Sequence, residues 1–414
     1  MSTNTTSSAT LQTGCCIVGG GPAGMILGFL LARAGVEVVV LEKHADFLRD
    51  FRGDTIHPST LELMYELGVL DDFLKRAHQE VAQGSALVDD FEVIVADFSH
   101  LPTHCKFIAL MPQWDFLNFV AEKAKPYAQF HLHMESEVTD LIIENGRVAG
   151  VRAKTPQDIL EVRADLVVGA DGRHSLVREK AGLQVYDLGA PIDVLWMRLP
   201  RKPDDPNETL GRFREGRILI TLNRGDYWQC AYVISKGGFT AIQQKGLTAF
   251  CEDIAAVAPF TRDRTAAWRD WDEIKLLTVA VDRLRRWSRP GLLCIGDSAH
   301  AMSPVGGVGI NLAIQDAVAT ANILWQPLKN RAAIDAHLDR VQKRREFPAR
   351  MTQTVQVFAH KRLIKPALNH QAPIQRLPVP LALLKNFPVL RRIPARAVGL
   401  GARPEHVRTP DSHR

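Results

Sequence analysis

Short runs of apolar residues, each closing on a glycine or polar turn, recur along the chain. Cys15–Val18 runs into three glycines, Val36–Leu41 is nearly continuous in valine and leucine, and Ala164–Gly169 and Leu292–Ile295 repeat the pattern. Runs apolar at every position predict parallel strands buried on both faces. Between the first two lies Gly24–Arg33, a mostly apolar helix stopped by Gly35. Ser59–Leu67 predicts a second helix, with hydroxyl residues at its start and Gly68 at its end. Pro112–Lys125 predicts a third.

Elsewhere the period drops to two. Ser136–Ile143 and Arg147–Ala153 flank Asn145-Gly146 and predict a β-hairpin. Within 190–280, Asp193–Leu199, Arg217–Asn223 and Trp228–Ser235 alternate, as strands of a mixed or antiparallel sheet do. Residues 76–110 carry shorter alternating runs. Asn311–Trp325 predicts a helix, and the chain beyond 330 is helical and then punctuated by prolines. There is no internal repeat.

Composition narrows the class. With 414 residues and 46% apolar content, a large core and two or three domains are expected. The six cysteines form no C-x-x-C pair, and Cys15, Cys16 and Cys294 fall in apolar strands. That usage fits reduced, buried thiols in a cytoplasmic protein, with neither a disulfide framework nor a metal site. Residues 1–12 are polar and Ser/Thr-rich and predict a flexible tail, not a signal peptide. No apolar run is long enough for a membrane span. Net charge is +5, unevenly spread: residues 361–414 hold 11 Lys/Arg against 2 Asp/Glu, leaving 40 against 44 for the rest. The basic C-terminal region is open to three readings: a helix packed on the body, a lid or dimer arm, or a peripheral membrane contact. The chain could thus be a monomer or a homodimer. No basic-aromatic module suggests nucleic acid.

Chemistry enters at the strand ends. Gly19-x-Gly21-x-x-Gly24 follows a strand and opens a helix, the context in which such a turn binds a dinucleotide. Gly19 suits the tight turn, Gly21 lets backbone approach a pyrophosphate, and Gly24 lets helix and strand pack closely. Ala23 lies inside the turn. Glu42, with Lys43 after it, ends the next strand, where a carboxylate can accept from ribose hydroxyls. Gly296-Asp297 ends a later strand, where the Asp can hold a sugar-alcohol hydroxyl. Pro304 through Asn311, with Gly306, Gly307, Gly309 and Ile310, offers bare backbone N–H groups before a helix, a nest suited to an acceptor-rich ring edge. One extended dinucleotide held at both ends points to FAD.

Four segments, in order, resemble the class A FAD-dependent aromatic monooxygenases, the family of p-hydroxybenzoate hydroxylase and the ubiquinone-pathway hydroxylases. They are Gly19–Gly24 with Glu42, residues 52–62, residues 165–175 and Gly296–Asp316. The resemblance spans about 12–330. It implies that Arg52 lies near the pyrophosphate and helps receive NAD(P)H, that Gln113 contacts FAD, and that Val138 begins a stretch passing the adenine. It also implies that Asp171-Gly172 serves FAD and transient nicotinamide, that Asp297 holds the ribitol, and that Pro304 and the glycines line the isoalloxazine. The run Gly306-Gly307-Val308-Gly309 departs from some members between the glycines.

The implied fold is α/β: a discontinuous Rossmann-like FAD-binding domain (13–75, 106–189 and 282–330), an inserted β-sheet substrate domain (76–105 and 190–281) and a helical, basic region 331–414. The implied activity uses NAD(P)H and O2 to hydroxylate an aromatic or polyketide-like apolar molecule. The same framework serves flavin-dependent halogenases and flavin-dependent reductases or dehydrogenases; the halogenases' Trp-x-Trp-x-Ile-Pro segment is not matched by Trp268-Arg269-Asp270-Trp271-Asp272. No protein nucleophile is needed. His57 and Arg52 are candidate assistants, though His57 reads more readily as a helix-entry histidine with a local hydrogen bond. His300 reads as a loop support. Tyr227, Trp228 and Tyr232 are candidate substrate contacts on the inserted sheet, or core.

Overall fold

The computed structural model describes residues 9–48, 55–207, 209–265, 268–370 and 372–413. Its main sheet runs in the order Ser288–Arg289, Leu292–Cys294, Ile159–Gly169, Ala9–Val18, Val38–Leu41, Phe130–His133. All but the first of these pairings are parallel. The apolar runs form its centre because both faces are covered: Cys15, Cys16, Ile17, Leu166, Val167 and Val168 are fully buried. The hairpin Glu137–Glu144/Arg147–Lys154 joins the N-terminal half of Ile159–Gly169. The first strand begins at Ala9, so residues 9–12 are not part of a tail. Thr10 to Thr13 pair with Glu161 to Ala164, and those ladder bonds extend the strand beyond its apolar core.

Helix Pro22–Arg33 packs against Val308–Lys329 and Gln113–Ala124, and Asp335–Ala359 packs in turn on Val308–Lys329. A second, seven-stranded sheet runs Lys275–Leu277, Ile192–Pro200, Tyr227–Ser235, Arg217–Asn223, Leu210–Arg214, Gln83–Val88, Phe91–Asp97. Two stretches far apart in sequence, 83–97 and 192–277, thus build one sheet, joined by the parallel pairing of Gln83–Val88 with Leu210–Arg214.

The C-terminal region is part of the body. Its last residues cross back over the main sheet's helices: Arg33 Nη1 donates to Thr409 O at 2.8 Å, Val407 N donates to Glu66 Oε2 at 2.7 Å, and Tyr127 stacks on His413. No helix among the described residues is long and apolar enough to cross a membrane.

Candidate active site

Parallel pairing brings the motifs together. Val18 is level with Leu41 on one side and Gly169 on the other, and Gly169 is level with Cys294. The Gly19–Gly24 turn, Glu42, Asp171-Gly172 and Gly296-Asp297 therefore leave the same edge of four adjoining strands. In open α/β sheets that carboxyl edge is where ligands bind.

The first turn is tightly built. A Cβ on Gly24 would sit 2.0 Å from Gly19 O, whereas one on Gly21 would meet nothing within 4 Å. Gly24 is a packing requirement; Gly21 faces open space at a helix start. Glu42 is buried, and its oxygens accept from Gly20 N at 2.9 Å and His44 N at 3.1 Å. The carboxylate therefore braces the turn. Ala23 is buried beside it, within 3.3 Å of where a Cβ on Gly296 would lie. Lys43 is exposed.

Asp171 faces inward, accepting from Ser175 Oγ at 2.5 Å and Val177 N at 3.1 Å, which holds the start of helix Leu176–Lys180. Burial pushes its carboxyl above the ordinary range. Next to it, Arg173 Nη2 reaches Asp297 Oδ2 at 3.4 Å, while its buried Nη1 has no partner among the described residues. Gly172 adjoins open space. An unpaired guanidinium donor, two bare-backbone turns and a helix start fit a pyrophosphate.

The loop before helix Val308–Lys329 is stitched from behind. Gly306 and Gly307 both take positive φ, and a Cβ on Gly307 would lie 2.4 Å from Thr55 Oγ1. Thr55 Oγ1 donates to Gly307 O at 3.0 Å. Asn311 Oδ1 accepts from His57 N and Thr60 Oγ1, and its Nδ2 donates to Thr55 O. Asn311 is committed to the protein itself. Gly309 and Ile310 lie between, and Pro304 caps the loop's first turn.

Beneath Gly296 lies a cluster of which sequence reading found only His300, as a loop support. Asp316 Oδ2 accepts from Gly296 N at 3.1 Å and meets His300 Nε2 at 2.5 Å; Asp316 Oδ1 accepts from Arg345 Nε at 2.9 Å. Arg345 also donates to Glu405 Oε1 and Arg403 O. Burial alone would raise the Asp316 carboxyl, but His300 and Arg345 outweigh it and hold it below the ordinary range. Gln356 Nε2 donates to Ser303 O and Val305 O, and Ser303 Oγ meets His360 Nε2 at 2.8 Å. Asp316, Arg345, Arg403 and Glu405 are too far apart along the chain to carry a spacing signal, so only the fold reveals them.

His57 is fully buried, with Nδ1 2.8 Å from Val398 O and Nε2 without a partner among the described residues. Burial lowers its pKa from 6.5 to about 4, so it is uncharged at pH 7. The unfolded chain binds the proton more readily, so stability from this group is present above pH 6.5 and is lost as pH falls towards 4. His57→Gln should remove up to about 3 kcal/mol of that acid sensitivity, read as a flatter melting temperature across the window. An unchanged pH slope refutes the burial argument.

Gln113 opens its helix as expected, and Val138 is buried in its hairpin strand. Arg52 lies outside the described residues. Two expected substrate contacts are corrected. Alternation sends Trp228 and Tyr232 to the sheet face packed under helix Leu247–Val257, with Phe250 and Ile254. Trp228 Nε1 donates to Asp205 Oδ2 at 2.8 Å. Burial would raise that carboxyl, but Arg264 and its other donors hold it low. The opposite face carries Val194, Trp196, Ile220, Ala231 and Val233, packed with Val305 of the loop and Ile364 and Leu368 of the C-terminal region. Tyr227 shares the parity of this second face, with Arg198 5.1 Å over its ring.

The sequence model of the FAD binding domain family matches residues 12–355. The chain belongs to that family of FAD-dependent aromatic monooxygenases. A 6-methylpretetramide 4-monooxygenase of Streptomyces rimosus is 34% identical over 362 residues, covering 85% of each chain. Among solved structures, an anhydrotetracycline hydroxylase from Streptomyces rimosus superposes with TM-score 0.75 at 21% identity, covering 94% of this chain and 76% of that one. A myxobacterial chondrochloren halogenase superposes with TM-score 0.73 at 18% identity, covering 95% and 100%. At such identities the superpositions speak for the fold alone. Like other members of the family, this monooxygenase uses FAD.

Proposed function

We propose that this FAD-dependent monooxygenase takes electrons from NAD(P)H and inserts one oxygen atom of O2 into a polycyclic, aromatic, polyketide-like substrate. The observation that carries the proposal is the meeting of four motif turns at one sheet edge, with Val305 of the following loop packed on the apolar sheet face of Trp196, Ile220 and Ala231. The 34% identical relative, named for action on 6-methylpretetramide, supports the substrate class.

Gly21, Gly172 and the unpaired Arg173 donor would take the pyrophosphate, Glu42 would hold the turn that cradles it, and Asp297 would receive the ribityl hydroxyls. Gln113 and Val138 would lie along the adenosine half. FAD supplies the redox chemistry when bound. The chain's part is to position it and keep water out: Asn311, Thr55 and Gln356 hold the loop, and the apolar face excludes solvent. Arg52 and a brief visit by NAD(P)H belong to the same proposal. So do a monomeric or homodimeric cytoplasmic state and a peripheral lipid contact through the basic C-terminal region.

The halogenase reading finds no support in its expected tryptophans. Trp268 Nε1 donates to Arg198 O, and Trp271 packs on Phe239 and Phe250. The test is aerobic turnover of purified yellow protein with NADPH or NADH and a panel of polycyclic phenols. A product heavier by one oxygen atom is expected. Pigmented protein that oxygenates none of the panel, or that yields a chloride-dependent or a hydrogenated product, overturns the proposal.

A further inference from the structure

Residues 361–404 contain nine Lys/Arg and no Asp or Glu. The inner side of this segment is fixed to the body. Ile364 and Leu368 pack on the second sheet, Ile374 N donates to Asp89 Oδ2 at 2.7 Å, and Ala395 and Leu400 pack with Phe98 and Leu101. Val398 O faces His57.

The outer side is different. Val379, Leu383, Phe387, Val389 and Ile393 are 72, 43, 57, 65 and 69% exposed. Val379 and Leu383 stand on helix Val379–Asn386, Phe387 links it to the turn Pro388–Arg391 that carries Val389, and Ile393 stands on helix Arg392–Gly399. Isolated exposed apolar side chains are ordinary; large ones recurring through one short segment form a patch. Arg376, Lys385, Arg392 and Arg396 are exposed among them. Lys385 lies over the Phe91 ring and Arg392 meets His100, and neither contact supplies an anion. The strand Phe91–Asp97 and the turn before it, which pack beneath the segment, carry Asp89, Asp90, Glu92 and Asp97; Asp89 already takes the Ile374 N–H and Asp97 the Ser99 N–H.

We propose that this outer face docks on a phospholipid surface rich in anionic headgroups. The inference deepens the peripheral contact proposed above and does not depend on the hydroxylation reaction. Charge selects the occupant. A second copy in a twofold contact would set the same cations against one another, whereas anionic headgroups neutralise them. Interfacial segments bury alkyl and aromatic side chains at the acyl boundary while Lys and Arg reach back to the phosphates, and these residues alternate in that way. Pinning of the inner side means that docking needs no unfolding. It would also hold the second sheet's apolar face near the bilayer, where an apolar substrate dissolves.

The test uses the full-length FAD-loaded protein, sedimented with vesicles of phosphatidylcholine alone or containing about one-third phosphatidylglycerol. Pelleting is expected with the anionic vesicles only, and it should weaken as salt rises through the screening range. The double variant Phe387→Glu/Ile393→Glu should lose at least about tenfold in vesicle affinity while keeping its flavin absorbance and melting temperature. Three results overturn the proposal: no pelleting of the parent at low salt, pelleting of the variant equal to the parent, or a parent dimer that the variant converts to monomer in light scattering. Turnover of soluble substrate by the parent is measured alongside, so a parent that turns over but fails to pellet refutes the surface and leaves the enzyme activity standing.

Discussion

Arg345→Met should destabilise the protein by about 3–5 kcal/mol, because it removes a buried guanidinium that two carboxylates, Asp316 and Glu405, share. Arg345 and Asp316 are both fully buried, and Arg345 also supports Glu405 and Arg403 O. The pair is costly to desolvate, so its removal as a whole is tolerated far better than the loss of one partner. Arg345→Met/Asp316→Leu should accordingly recover part of the lost melting temperature, though Gly296 N then loses its acceptor. The flavin should also be held less tightly in the single variant, since Asp316 fixes Gly296 immediately before Asp297. A single variant melting within about 1 kcal/mol of the parent would show that the cluster is not a structural keystone.

Gly24→Ala and Gly21→Ala should separate packing from cofactor binding. The methyl at position 24 would lie 2.0 Å from Gly19 O, so the helix must move away from the strand. Purified Gly24→Ala should be colourless and melt well below the parent. The methyl at position 21 meets nothing within 4 Å in the protein. Gly21→Ala should keep the melting temperature of the flavin-free protein and lose at least about tenfold in FAD affinity, because the methyl stands where a pyrophosphate must approach. Flavin titration followed by fluorescence quenching reads both. If Gly21→Ala binds FAD as the parent does, the pyrophosphate does not lie against this turn.

Local pattern carried much of the architecture. The buried strands at 15–18, 164–169 and 292–295 were legible because burial on both faces demands apolar residues at every position. The helix at Pro22 and the hairpin at Asn145-Gly146 were legible because their punctuation is local. Facing was not legible. Trp228 and Tyr232 alternate with Tyr227 and Ala231, and alternation assigns two faces without saying which one a helix covers. Residues 9–12, expected in a tail, are strand, since ladder pairing with 160–163 needs backbone groups and not apolar side chains.

The amino-acid order by itself carried the fold family and the dinucleotide turn, because each motif is a run of neighbours a few positions long and the motifs keep their order along the chain. Only the tertiary structure decided which tryptophans lie in the core, that Asn311 holds the loop and Asp316 the Gly296 turn from behind, and that the C-terminal segment packs on the body by one side and exposes apolar and cationic residues on the other. Those properties arise from contacts between residues as far apart as His57 and Val398, and no local periodicity encodes them.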